Sequence, residues 1–573
     1  MSVRTFCLIC TVGLLCAPTA NAQSEARIKI IQPGISRLEE DLKYLVELSP
    51  APALKKQWKT LKDLIDSFAV GLDSEKPIRI DLVFGKQSLG YESHFPVTKL
   101  EGKGGFLQNI GDLGYKSKKE APGLFELTEG AKGAAKRLGY LRDANKYGSI
   151  APLKEAVSAN LVHPITDALK AYLAKGYDVA AELKNDPADQ KGLADRLANF
   201  KQLRNQLEAG IKFKRDENKN TFELRKLSVV QNLEEAERFL VETELLTMNW
   251  VTDVAGKEGR GELSFAAIPN TGLHASTALL GAKPSYFANV KSPAKTVATG
   301  RINFAIDPLR SGHLQNFYKA FRPVLATRLD GVASLKDADQ KAAAKQAGDL
   351  LIDMLDTGIA VGAIDGCMDL AELGDGKHSF LCGIRSVDGK VADQILSLFP
   401  KMSPGHELTL NVATVAETAL HTLKIPASLV ARFQKFFPGE TLLFVATSKD
   451  AVWLAIGPNA QADLTAAITA TAGLAPEMPD TTIGLFSANM TKFVAFYDAV
   501  SPEQGETKGP KTTEQKEREK IRNLAEQAVA GCEPRLTSVL KKNGNVIEGT
   551  LVVSECALKF VGTMIADFAK TME

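Results

Sequence analysis

Four cysteines in the body of the chain have a spacing that could do chemistry: Cys367, Cys382, Cys532 and Cys556. Each pair brackets a turn signal. Gly374-Asp375-Gly376 lies midway between the first two, and Lys542-Asn543-Gly544-Asn545 midway between the second two. Asn-Gly tolerates the positive φ angles of a tight hairpin turn. In an antiparallel hairpin, residues equidistant from the turn face each other. Both pairs can therefore come within the roughly 4.4–6.8 Å Cα separation of a disulfide. The sequence predicts crosslinks Cys367–Cys382 and Cys532–Cys556. Four buried free thiols are the alternative.

Other reactive patterns fall short of their chemistry. Ser292-Pro-Ala-Lys295 has Ser-x-x-Lys spacing, which activates the hydroxyl only when both residues share a helix face. Gly281, Pro284 and Pro293 place it in a loop instead. Gly85-Lys86 and Gly376-Lys377 lack the first glycine and the Ser/Thr of a phosphate-binding loop. Gly102 and Gly104 lack the third glycine of a dinucleotide turn. Residues 365–376 are acidic, but Leu370 and Gly376 stand where a calcium loop needs Gly and Glu, so an exposed acidic hairpin loop is expected. The seven histidines show no His-x3-His pair, and no Gly-x-Ser-x-Gly or Cys-x-x-Cys occurs in the mature region. Phe433, Phe436 and Phe437 have helical spacing and read as core. The basic stretch from Lys212 to Lys226 is interrupted by Asp216, Glu217 and Glu223 and reads as a solvated face, not a nucleic-acid groove. No catalytic, cofactor-binding or metal-binding residue is assigned, and no cofactor is expected.

The elements that carry these residues form a mixed pattern. Residues 23–75 read as an N-terminal helical segment broken at Pro50 and Pro52. From Ile78 onward, short alternating strands are mixed with helices. Residues 137–152 and 441–458 share one plan, an apolar strand, a turn, a second strand ending Ile–small–Pro, then a helix. Residues 91–98 and 177–181 match 380–387 and 483–487 in the same order, and a long helix and a hairpin follow in each. The expectation is an α+β fold with antiparallel sheet and packed helices, made of two copies of one unit at 76–290 and 355–573. A strand and two helices at 291–354 connect them. Residues 501–520 hold no large apolar side chain and form a flexible excursion within the second copy.

The first 22 residues read as a signal peptide. Arg4 precedes the apolar run from Phe6 to Cys16, and Ala20-Asn21-Ala22 fits a cleavage site after Ala22. The run is shorter than the roughly 20 residues that span a bilayer, and no later stretch is long enough. A secreted or periplasmic location is expected, which suits disulfides. The chain has 45% apolar and 24% charged residues and a net charge of +2, which gives no reason to expect nucleic acid.

With its export signal, its doubled strand–turn–strand–helix unit and its Asn-Gly hairpin, the chain resembles large secreted proteins of planctomycete-type bacteria. At the level of fold it is also similar to periplasmic lipoprotein carriers. These resemblances imply no reaction and no site residue. The functional expectation is a non-catalytic binding or structural protein whose partner is a protein or a cell-surface polymer. The alternatives are a periplasmic carrier of an apolar ligand and a hydrolase with dispersed catalytic residues.

Overall fold

The computed structural model describes residues 26–570 apart from 501–519, the stretches 50–54, 85–88, 130–136, 158–164, 404–406, 426–432 and 473–480, and a few single or paired residues. The residues read as a signal peptide, 1–22, and all of the expected excursion 501–520 but Lys520 therefore lie outside the described residues.

The elements run in two series. The first is β1 (Ala26–Gln32), α1 (Ile35–Leu48), α2 (Trp58–Ala69), β2 (Ile78–Phe84), β3 (Leu89–Pro96), α3 (Phe106–Asp112), β4 (Tyr115–Ala121), β5 (Leu124–Glu129), β6 (Arg137–Ala144) and β7 (Tyr147–Ala151). It continues with α4 (Asp167–Leu173), β8 (Val179–Lys184), α5 (Gln190–Ala209), α6 (Lys219–Glu242), β9 (Thr243–Asp253), β10 (Glu258–Ala267) and α7 (Gly272–Leu279). The second series is β11 (Thr296–Ala305), α8 (Pro308–Asp330), α9 (Ala338–Gly358), β12 (Ala363–Gly374), β13 (Lys377–Arg385), α10 (Lys390–Met402), β14 (Leu408–Val415), β15 (Thr418–Lys424), β16 (Leu442–Thr447) and β17 (Ala451–Ile456). It ends with α11 (Ala460–Thr471), β18 (Thr482–Asn489), α12 (Met490–Val500), β19 (Arg535–Asn543), β20 (Val546–Ser554) and α13 (Glu555–Lys570).

All 20 strands join one antiparallel sheet, so the fold is α+β. The neighbours run β4-β5-β6-β7-β3-β2-β1-β8-β9-β10, then β20-β19-β18-β11-β12-β13-β17-β16-β15-β14. Read inward from the two edges, β4 and β14, the halves have the same strand order, each strand matching the one ten places on. They meet where β10 pairs with β20, Glu258 facing Ser554 through to Phe265 facing Ile547.

Two segments read from the sequence as accessory are part of this sheet. The segment 23–75 is not purely helical: it opens with β1, which sits between β2 and β8. Its alternation Arg27-Ile28-Lys29-Ile30 is a strand signal that the neighbouring helices mask. The strand of segment 291–354 is β11, between β12 and β18. The acidic stretch 365–376 is no exposed loop either. Most of it is β12, whose Asp365 and Asp369 are 1% and 2% exposed.

Helices pack on both faces. On what we term the α6 face, α5, α6 and α7 cover Leu183, Leu246, Phe265 and Ile547, and α12 with Phe433, Phe436 and Phe437 covers Leu370, Ile456 and Ala488. On the opposite, α11 face, α4 covers Ile31 and Ala180, and α11 covers Trp453, Ala446 and Cys367. Gly383 is required there, because a Cβ would lie 2.6 Å from the Trp453 ring and 2.7 Å from that of Phe287. The last helix, α13, crosses the sequence to pack on α1 and α2 of the first series.

Candidate functional site

Between the helices of the α6 face lies a strip of sheet that they cover only in part. One cross-strand row begins Ala181, Met248, Leu263, Gly549 and Leu540. It continues through Gly484, Ile302, Gly366, Ile384 and Val452. The next row on that face begins Val179, Trp250, Gly261, Leu551 and Ser538, and continues through Phe486, Gly300, Met368, Cys382 and Leu454. Every member but Ser538 is apolar or glycine, and the glycines lower the floor between the large side chains. Met248 is 52% exposed, Ile302 43% and Ile384 47%. The strip crosses ten strands, about 43 Å at a strand spacing of ~4.8 Å. Its two rows are about 7 Å apart, since same-face neighbours are two residues along a strand. α5–α7 flank it on one side. α12 flanks it on the other, together with α13, whose Leu558 reaches Gly259.

The α11 face holds a different group. Asp81, Glu92 and His94 bring three possible ligand atoms within 4.8 Å of one another. This is the one His/Cys/Asp/Glu cluster of that kind among the described residues. Its carboxylates are already met by guanidiniums. Arg79 donates to both oxygens of Asp81 at 2.6 and 2.5 Å, and Arg27 donates to Glu92 at 2.8 and 3.3 Å. His94 Nδ1 shares a hydrogen bond with Ser149 Oγ at 2.8 Å. Burial holds the His94 imidazole below its ordinary pKa, and the arginines add to that effect against the pull of Asp81 and Glu92. A cation here would compete with two fixed positive charges, so the group is better suited to tying strands together than to holding a metal.

A Thr–His–Asp group lies in the second half. Thr447 Oγ1 donates to Asp393 at 2.6 Å, and His421 Nε2 lies 2.9 Å from Thr447 Oγ1 and 3.1 Å from Asp393. The Asn411 N–H donates to His421 Nδ1 at 3.1 Å. Nδ1 is therefore the acceptor and Nε2 carries the hydrogen, which leaves no lone pair to take a proton from Thr447. His421 is 1% exposed. The group pins α10 to the sheet.

Of the four cysteines, Cys532 and Cys556 form a disulfide with Cα atoms 5.9 Å apart. The turn beside it is one residue later than read from the sequence, since Asn543 pairs with Val546. The pair survives because both cysteines lie beyond the strand ends. The Cys367–Cys382 crosslink is not formed, and both are free thiols. Cys367 faces Gly383, and Cys382 faces Met368. Residues one position out of register point to opposite faces of a sheet, so Cys367 sits in the core under α11 while Cys382 lies half-buried in the apolar strip of the α6 face. Burial pushes their thiols up, to about 12 and about 11.

The remaining sequence candidates are structural. Ser292 Oγ accepts from Arg301 at 2.8 Å. His378 contacts the Phe436 carbonyl at 3.1 Å, and Phe437 is fully buried, as the helical spacing implied. Gly85-Lys86 lies outside the described residues. The strip itself was missed by sequence reading, because its members come from ten strands and no local run betrays them. Among the described residues no helix is long and apolar enough to cross a membrane. Comparison with protein-family models, curated proteins and solved structures gives no match.

Proposed function

We propose that this is an exported, non-catalytic carrier of elongated apolar chains, held in the apolar strip of the α6 face. The observation that carries the reading is the strip itself, two rows of apolar side chains and glycine broken at Ser538, in which Met248, Ile302 and Ile384 are exposed while Leu263, Leu540, Met368 and Phe486 are partly covered by the flanking elements. Its shape narrows the occupant. The strip is two side-chain rows wide, and the rows, about 7 Å apart, leave a shallow channel along which an extended chain can lie. The flanking helices stand above the sheet and keep a flat surface, a second copy or a bilayer, from reaching the floor. An acyl chain fits both limits, and the floor offers it no charge to desolvate. Export is supported by the signal-like N-terminus and the Cys532–Cys556 disulfide.

The same strand order in both halves also supports an internal duplication, framed from β1 to α7 and from β11 to α13. That frame starts earlier in each copy than the sequence suggested.

Native mass spectrometry of protein purified from its own host tests the carrier reading. Bound acyl-chain lipid is expected. Protein that is consistently empty, and that takes up no palmitate when loaded in vitro, would sink it.

A further inference from the structure

Among the described residues two arginines are buried, Arg238 and Arg196. Arg238 is neutralised by Asp307, 3.0 Å away. Arg196 is 7% exposed, and its buried Nε and Nη2 have no hydrogen-bond partner and no ion pair among the described residues. A buried charge is costly unless it is paired and hydrogen-bonded.

Arg196 sits on the deepest stripe of α5, with Gly192, Asn199 and Phe200. Leu193 and Leu197, beside that stripe, are only partly buried. An amphipathic helix normally buries its leucines and lets arginine reach for water. This turn of α5 does the reverse. Gly192, one turn earlier, makes the room. A Cβ there would lie 3.1 Å from Arg196 Nη1 and would strike the Asp189 carboxylate that caps the helix. Burial pulls the guanidinium below its usual pKa, and the nearby Asp189 and Asp186 offset only part of that.

The unpartnered atoms are a particular pair. Nε and Nη2 form one edge of the planar fork, whose parallel N–H bonds match the oxygens of a carboxylate. Elsewhere in this protein the same edge does that work. Arg79 donates from Nε and Nη2 to Asp81, Arg225 to Glu217 and Arg37 to Asp178. In each case the chain supplies the carboxylate itself.

We propose that Arg196 is the binding point of an external carboxylate, held side-on by Nε and Nη2 in the first turns of α5. A monoanion suits the place, because Asp189 and Asp186 add a negative field that disfavours a dianion such as phosphate. The carboxylate can belong to a small free acid or to the head of an acyl chain, and the chemistry recognised is the same. The proposal does not rest on the carrier reading.

The test is the melting temperature of the full chain and of its Arg196→Met and Arg196→Lys variants, titrated with acetate, decanoate or decanol at an ionic strength matched with sodium chloride. Wild type should be stabilised by a carboxylate beyond the effect of chloride. A rise with acetate marks a small free acid as the source. A rise with decanoate that exceeds the rise with decanol, and none with acetate, marks an acyl head. Arg196→Met should weaken the carboxylate-specific effect by about tenfold or more in concentration, the scale of a hydrogen bond to a charged group. Arg196→Lys keeps the charge without the fork and should fall between the two. Without ligand, Arg196→Met should melt no lower than wild type, because it removes an unpaired buried charge and keeps an apolar stem. No carboxylate-specific rise in wild type, or one that Arg196→Met keeps in full, overturns the proposal. So does an Arg196→Met variant that is far less stable than wild type or does not fold, since the guanidinium would then be partnered within the fold. Decanoate and decanol stabilising all three proteins alike overturns the proposal and leaves the carrier reading intact. An acetate effect lost in Arg196→Met, with no response to decanol or decanoate, supports the proposal and counts against the carrier.

Discussion

Asp41 in α1 is 6% exposed and lies against Asp178, with Arg37 3.6 Å away as its cation. Arg37 spends its hydrogen bonds on Asp178, at 3.1 and 2.9 Å. Burial, then the charge of Asp178, raise the Asp41 carboxyl from 3.8 to about 7, against the pull of Arg37. An acid whose folded pKa is raised binds its proton more tightly when folded. It therefore costs stability progressively as pH rises from about 4 to 7, and the full cost is present above 7. Asp41→Asn should raise the unfolding free energy at pH 8 by on the order of 1–2 kcal/mol. The gain should shrink to nothing near pH 4. Denaturation at both pH values checks this, and an equal effect at both would refute the assignment. The Asp81 carboxylate is a different case, fully buried and bidentate with Arg79. Arg79→Met leaves it only Arg27, at 3.6 Å. Removing one partner of a buried pair costs ~3–5 kcal/mol, so the urea midpoint should fall sharply. A loss below about 1 kcal/mol would mean that water reaches the carboxylate.

At the scale of elements, α13 is the strap between the halves. It follows β20 of the second series and docks on α1 of the first, and Thr563 Oγ1 donates to Ser49 Oγ at 3.2 Å. The contact is close because position 562 is glycine: a Cβ there would sit 1.6 Å from the Leu45 carbonyl oxygen. Gly562→Ala must push the helices apart. Overpacking of this kind costs about 1–3 kcal/mol, readable as a lowered Tm and as faster amide exchange confined to α1 and α13. Unchanged exchange in α1 would count against the strap. The disulfide anchors the start of the same helix to the residues before β19, closing a loop of sequence separation 24. Reduction should cost roughly 2–4 kcal/mol. In peptide mapping, Cys367 and Cys382 should alkylate in unreduced, denatured protein, while Cys532 and Cys556 should not. The hairpins holding both pairs were legible from their Gly/Asn turns. The fate of Cys367 and Cys382 was not, because one residue of register decides which face a side chain takes.

At the scale of the whole molecule, the halves are joined edge to edge by β10 and β20 and clasped by two helix contacts. One is α13 on α1. The other is α8 on α6, where Asp307 accepts from Arg238 at 3.2 and 3.0 Å and from Ser276 at 2.6 Å. Burial pushes the Asp307 carboxyl up, but the bonds from Arg238, Ser276 and the Arg310 amide outweigh it and hold it well below the usual carboxylate range. A carboxylate with a depressed folded pKa stabilises above its unfolded pKa and loses that stability as pH falls. Asp307→Asn should therefore weaken the clasp most at neutral pH, and its penalty should narrow in strong acid. An equal penalty at pH 7 and pH 2 would show that the clasp is not ionic.

The sequence by itself determined the local structure: the α+β class, the hairpin turns, the Phe437 core stripe and the parallel plan of residues 137–152 and 441–458. These follow from periodicity and turn chemistry, which act over a few residues. It hid β1 behind the helices that follow it, because a short alternating strand beside a strong helix is a weak local signal; β11 it showed as a strand, but not its place inside the sheet. Only the tertiary structure decided that β1 and β11 sit inside one sheet whose halves meet at β10 and β20, that Cys367 and Cys382 lie back to back, and that an apolar strip runs across ten strands. The sheet and the strip depend on strand order between residues far apart in the chain, and the cysteines on a single residue of hairpin register; no local pattern encodes either.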